Sequence, residues 1–142
     1  MKLKILLLPL LLFVVLQAKA VHLLIPMDET QKDHLKSYGI AYWVLEKDVE
    51  VKWLLNYRGG SFLIQHYPEI ENECVVRGVS FESISEAKTN AILNEISQPD
   101  VNQDAVAMNK APKIAVYSPP NKQPWDDAVT LVLTYAEINY DV

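Results

Sequence analysis

Strand-like and helix-like segments alternate along this chain. Their order predicts an α/β fold with a mainly parallel sheet and flanking helices, of the Rossmann or flavodoxin-like kind. Short apolar or alternating runs at 22–27, 61–65 and 79–84 are each followed by a segment with helical spacing or helix-start residues. The order restarts at 113–142, where we expect a second α/β unit that is incomplete.

The first crossover unit is predicted from three segments. Residues 22–27 form a short apolar run that fits a strand. Residues 31–46 have apolar side chains at steps of three and four, and Thr30 is well placed to cap the helix they predict. Residues 49–55 alternate apolar and polar side chains, which is typical of a half-buried strand.

The next unit follows a glycine-containing turn. Residues 61–65 are a further extended run, and Pro68 is suited to the first position of a helix that Gly78 ends. Residues 79–84 alternate again and predict a strand. Ser85 is the expected cap of the helix that follows, up to about Ile96.

The polarity of the chain suggests its domain boundaries. Residues 99–112 are polar and aperiodic, which favours a linker. Beyond them come an apolar strand, a helix and the start of another strand. The predicted organisation is therefore a signal peptide at 1–20, an N-terminal α/β domain at 21–98, the linker at 99–112 and a second α/β unit at 113–142 that stops early.

The N-terminus has the three parts of a secretory signal. Lys2 and Lys4 precede an uncharged apolar run, and Ala18 and Ala20 provide the small residues of a cleavage site. The apolar run is too short for a transmembrane helix, which needs about 20 residues. We therefore expect cleavage after Ala20, no stable membrane anchor after it, and a periplasmic or extracellular location.

Charge and cysteine content narrow the function classes. Cleavage would remove three of the 13 basic residues and none of the 18 acidic ones, which leaves a net charge of −8. Such a protein repels phosphate backbones and anionic lipid, so nucleic-acid binding is not expected. Cys74 is the single cysteine, so no internal disulfide is possible. Its position within a predicted helix favours a small buried side chain over a nucleophile.

No cofactor or metal is expected. The three histidines, His22, His34 and His66, lack the short fixed spacing of metal ligands. No phosphate-loop or nucleophile-elbow motif occurs in the chain. Catalytic residues therefore stay unassigned.

Two loops are candidate ligand sites. Arg58, Gly59 and Gly60 follow a predicted strand, where a guanidinium and open backbone amides could bind a small anionic or peptide ligand. The alternative for this loop, which the pattern favours, is a tight hairpin between 51–55 and 61–65. Trp125 and Asp126 lie at a predicted helix start, and the alternative there is a helix cap with a packed Trp.

Five blocks of sequence together resemble a known family. They are HLLIPMDETQ at 22–31, YGIAYW at 38–43, WLLNYRGGSF at 53–62, APKIAVYSP at 111–119 and PWDDAVTLVLTYAEI at 124–138. These blocks are similar to exported bacterial proteins labelled asparagine synthetase B. The resemblance implies a longer protein whose later part has a class I glutamine amidotransferase-like fold with its own catalytic Cys. It implies no catalytic residue in this chain, because Val21 stands where a nucleophilic Cys would begin a mature asparagine synthetase.

Two function classes therefore remain open. The chain is expected to be the N-terminal part of an exported amidotransferase-like protein, inactive on its own, with the missing C-terminal part as its partner. The alternative is a non-catalytic periplasmic module that binds a ligand or serves as an accessory domain.

Overall fold

The computed structural model of the chain describes residues 21–117 and 128–142. The expectations for the signal peptide and for Trp125 and Asp126 lie outside these residues. The described part contains five strands and four α-helices. In chain order they are β1 (His22–Ile25), α1 (His34–Glu46), β2 (Val51–Leu55), β3 (Ser61–Gln65), α2 (Pro68–Arg77), β4 (Glu82–Ile84), α3 (Glu86–Ile96), β5 (Asp104–Met108) and α4 (Ala128–Ala136).

The sheet is antiparallel throughout, and the prediction of a mainly parallel Rossmann or flavodoxin-like sheet is wrong. The strand order is β4-β1-β3-β2-β5, and each neighbouring pair is antiparallel. The helices α1 and α2 do cross between strands of equal direction. Those strands are not neighbours, because β3 lies between β1 and β2, and β1 lies between β3 and β4.

The sheet contains two split crossovers, in each of which a helix joins two strands that have a third strand between them. The first four strands and two helices follow the order β-α-β-β-α-β, with the sheet order β4-β1-β3-β2. That is the ferredoxin-like arrangement. The hairpin between β2 and β3 supplies the change of direction that makes every neighbouring pair antiparallel. To this core the chain adds α3 and an edge strand, β5.

Each face of the sheet is covered by its own helical layer. On one face, α1 and α2 pack over a buried cluster that includes Leu23, Ile25, Phe62 and Ile64. On the other face, α3 packs with Ile92 and Ile96 over the alternate strand residues, among them Leu24, Leu54 and Leu63. The alternation of buried side chains along β1 and β3 thus divides the core into two clusters, as period-two geometry requires.

The helix ends test three of the predicted caps. The N-cap of α1 is Asp33, whose side chain accepts from the backbone N–H of Lys36, so the expectation for Thr30 is wrong. Thr30 instead donates through its backbone and hydroxyl to Asp28. Gly78 at φ 73° ends α2, and Ser85 caps α3, so both of those predictions are confirmed.

Residues 99–112 include a strand, although a linker was expected there. Its five residues, Asp104–Met108, pair with β2 along that strand's whole length. The sequence DAVAM begins with an acidic residue, and none of its five side chains is buried at the edge of the sheet. The pattern is therefore weak, and backbone pairing to β2 supplies the order that side-chain burial does not.

Residues 113–142 contain a parallel contact. Ala115 pairs with Asp141 in parallel, through Asp141 N–H to Ile114 O at 2.9 Å and Val116 N–H to Asp141 O at 2.7 Å. Because α4 lies between these two segments in the chain, they form a minimal strand–helix–strand crossover.

Helix α4 lies against α1. Ala136 is buried, and its carbonyl approaches Gly39 so closely that a Cβ on Gly39 would lie 3.0 Å from the carbonyl carbon. The hydroxyl of Tyr135 donates to Asp33 at 2.5 Å, and Asn139 donates to Glu46 at 2.8 Å. The glycine in the middle of α1 is therefore what lets the second unit dock.

Candidate functional site

The turn between β2 and β3 is built around Arg58. Its backbone lies in the left-handed region at φ 46°, and its carbonyl accepts from the backbone N–H of Met27 at 3.1 Å. Its guanidinium donates to Asp28 and to Glu82, each at 2.6 Å. The two ion pairs raise the pKa of Arg58, and the same contact lowers the pKa of Asp28 to about 2.

The hairpin interpretation of this loop is confirmed, because β2 and β3 pair directly across it. Gly59 at φ 82° lies against the backbone of Met27, where a Cβ would lie 2.7 Å from a carbonyl carbon. Gly60 at φ 97° accepts a 3.0 Å hydrogen bond from the indole of Trp53. Ligand binding by Arg58, Gly59 and Gly60 stays a prediction, and an anion there would compete with two carboxylates already paired to the guanidinium.

Cys74 lies in the core. Its side chain is fully buried in the cluster beneath α1 and α2, which confirms the sequence interpretation. Burial and the neighbouring carboxylate of Glu73 raise the pKa of the thiol to about 12. A nucleophile needs the thiolate and an open approach, and this side chain has neither at neutral pH.

The three histidines lie in separate places. The ring of His66 contacts the carboxylate of Glu71, and the ring of His34 lies 3.2 Å from the carbonyl oxygens of Met27 and Asp28. His22 lies on β1 beside α3, with Nδ1 3.2 Å from Thr89 Oγ1. In the described ranges 21–117 and 128–142, no group of three His, Cys, Asp or Glu side chains could hold a metal ion.

A polar cavity lies on the α3 face of the sheet. It has a volume of about 180 Å³ and is lined by His22, Val49, Glu50, Lys52, Leu63 and Gln65. Sequence reasoning missed this cavity. The available signal was a polar residue in each of three mainly apolar strands, His22, Lys52 and Gln65, but only the strand register shows that they converge.

An apolar cavity lies on the other face, where the second unit meets the first. It measures about 190 Å³ and is lined mainly by aromatic side chains of α1 and the sheet, with Met108 and Ile138 at its ends. The hydroxyl of Tyr42, on its rim, donates to Pro112 O at 3.3 Å and to Asn139 O at 3.4 Å. The cavity thus lies where α1, the sheet and the segment after α4 meet without filling the space between them.

The outer side of α4 is apolar and exposed. Leu131 has 72% of its surface exposed, and Val129 and Val132 are exposed beside it. Exposed apolar clusters of this kind usually mark a surface that binds another protein element. None of the helices in the described part of the chain is long and apolar enough to span a membrane.

Comparisons of the chain with protein-family profiles, curated proteins and solved structures gave no match.

Proposed function

We propose that this chain is the N-terminal, non-catalytic part of an exported amidotransferase-like protein, similar to those labelled asparagine synthetase B. In this proposal residues 21–108 form an accessory module. Residues 113–142 contribute the first crossover of the amidotransferase-like unit, and the chemistry is performed by residues outside those described.

The observation that carries the proposal is the state of α4. Its inner side is fixed to α1 through Ala136, while Leu131 and Val132 point an apolar surface to solvent. In an α/β unit a crossover helix covers a sheet of several parallel strands. Here one bridge, between Ala115 and Asp141, is the only parallel pairing among the described residues. A further α/β layer against α4 would complete both the pairing and the burial.

The state of the polar groups supports a non-catalytic role for this part. Acyl transfer needs an activated nucleophile, a base within hydrogen-bond reach and donors for the oxyanion. Cys74 is buried and protonated, and His66 is paired to Glu71 at the start of the same helix. Cys74 and His66 are therefore not placed to act as a nucleophile and its base.

The catalytic part of the proposal is tested by an ammonia-release assay. Purified residues 21–142 are incubated with glutamine and with asparagine beside a Cys74→Ala variant. We expect no release above the rate without protein in either sample. Release that disappears in the variant would make Cys74 a nucleophile and refute the proposal.

The docking part is tested by labelling. A Leu131→Cys variant should react quickly with a maleimide in the purified chain, because that position is exposed. The same variant should react slowly in the protein as its host exports it, because the further layer covers α4. Ala87→Cys, exposed on α3, is the matched control that should react equally in both. Equal reactivity of Leu131→Cys in both samples would contradict the docking of a further layer.

The location is tested by N-terminal sequencing of the exported protein. We expect the sequence to begin at Val21, after the Ala18 and Ala20 cleavage site. A soluble protein that begins at Met1 would refute export.

A further inference from the structure

We propose that the polar cavity on the α3 face binds a small carboxylate, held by Lys52, Gln65 and His22. The proposal does not depend on the docking of α4, because α4 lies with α1 on the opposite face of the sheet. It also differs from the Arg58 loop, whose cation is already paired to two carboxylates.

The strand register brings the three side chains together. His22 is directly opposite Gln65, and Lys52 is opposite Leu63, two residues before Gln65 on the same strand. Side chains two apart on a strand share a face, and directly paired residues have Cβ atoms about 5 Å apart. Three strands therefore supply an ammonium, an amide and an imidazole to one cavity.

The size of the cavity suits a small ligand. Its volume is about 180 Å³. Pockets that hold drug-sized ligands measure about 300–1,000 Å³, so this cavity suits a smaller molecule. A short carboxylic acid anion fits this space, whereas a nucleotide or a folded peptide does not.

The hydrogen bonding of His22 defines what its ring offers. The hydroxyl of Thr89 donates to Ser85 O at 3.1 Å, so its oxygen accepts from Nδ1–H of His22 at 3.2 Å. This contact fixes the tautomer, so Nε2 of the neutral ring carries no hydrogen, and His22 donates to a carboxylate only when the ring is protonated. Burial and the charge of Lys52 lower the pKa of His22, while Glu86 at the start of α3 opposes them. A carboxylate in the cavity would raise this pKa by favouring a proton on Nε2.

The charge of Lys52 remains available to a ligand. Its ammonium lies 3.3 Å from the carboxylate of Glu50, and both side chains are substantially exposed, at 38% and 47%. An exposed pair of this kind is weak, because water and salt screen it. An entering carboxylate can therefore displace Glu50, although Glu50 competes with it. Glu50 also lines the cavity, so Lys52 carries an unmatched charge only when Glu50 moves away, and a singly charged anion then matches it.

The experiment follows the ring signals of His22 by NMR in the purified chain during a titration with sodium acetate. Sodium chloride at equal ionic strength gives the screening baseline. We expect acetate to shift the His22 signals saturably and to raise the pKa of His22, and chloride to do neither. Shifts no larger than those in chloride would overturn the proposal.

Two variants and a control give the sign of each contribution. Lys52→Met should weaken acetate binding by about tenfold or more, because it removes the charge-assisted hydrogen bond. Glu50→Gln should strengthen binding, because it removes the competitor for Lys52. Lys88→Met removes an exposed cation on α3 and should leave binding unchanged. Equal weakening in the Lys52 and Lys88 variants, or weaker binding in Glu50→Gln, would refute the site. Thermal unfolding of each variant confirms that it is folded.

Discussion

Substitution of Gly39 by Ala tests the docking of α4 by the sign of its effect. Gly39 lies inside α1, where Ala is normally favoured over Gly by about 1 kcal/mol per residue. An undocked α4 would therefore let Gly39→Ala stabilise the protein. With α4 docked, the new methyl group meets the carbonyl group of Ala136, whose carbon would lie 3.0 Å away and whose oxygen would lie closer still.

The structure indicates how the conflict is resolved. Overpacking of a close contact costs about 1–3 kcal/mol. The docking that opposes it comprises one fully buried side chain, Ala136, and exposed polar contacts such as Tyr135 to Asp33. Burial of a methyl-sized group contributes about 0.8 kcal/mol, and exposed polar contacts add little because water competes for them. The clash is therefore at least as large as the docking that opposes it, so α4 should shift or detach while the sheet and α1 stay folded.

The assay is amide hydrogen exchange resolved along the chain, with chemical denaturation of the same samples. In Gly39→Ala we expect faster exchange in Ala128–Ala136 and unchanged protection in the strands of the sheet. Asn90→Ala, at an exposed position of α3, controls for helix propensity alone. A gain of about 1 kcal/mol in Gly39→Ala with unchanged protection of α4 would refute the docking described above.

Three further outcomes follow from particular residues. Gly59→Ala should destabilise the fold by about 1–3 kcal/mol in denaturant melts, because the position combines a positive φ with a backbone clash. Gly78 has a similar φ but open space around it, so Gly78→Ala should cost clearly less. Cys74 should not react with a thiol reagent until the protein unfolds, and fast reaction in the native state would contradict its burial. The pKa of Asp28 is lowered from 3.8 to about 2. Its ion pair with Arg58 should therefore stabilise the fold fully at a pH above 3.8, and progressively less as the pH falls from 3.8 to about 2. Denaturation of the wild type and Arg58→Met over this range measures that loss, and parallel curves would exclude it.

Local structure was largely predictable from the sequence because it depends on neighbours along the chain. The glycine that ends α2 and the serine that caps α3 act within a few residues, and both were identified. The cap of α1 was misplaced because Thr and Asp are both favoured N-cap residues, and only the path of the chain decides between Thr30 and Asp33. The edge strand β5 was missed because its order comes from pairing with β2, a partner far away in sequence.

The candidate site was less predictable than the elements that form it. Lys52 and Gln65 are ordinary polar residues of alternating strands, and nothing local distinguishes them from solvated side chains. They converge with His22 only because β3 lies between β1 and β2. Conversely, the pairing of Arg58 was not predicted, because Asp28 and Glu82 lie far from it in sequence.

The error in sheet direction was avoidable from the sequence itself. A hairpin at Gly59 and Gly60 makes β2 and β3 antiparallel neighbours, and that interpretation was favoured from the glycine pair alone. The helices α1 and α2 connect this hairpin to β1 and β4, whose positions in the sheet then remain to be decided. A mainly parallel sheet would need those crossovers to join neighbouring strands. If each crossover instead skips one strand, every strand has antiparallel partners and both helices reach the same face, as α1 and α2 do. The hairpin therefore fixed one antiparallel pair, and the strand that each crossover skips set the direction of the others.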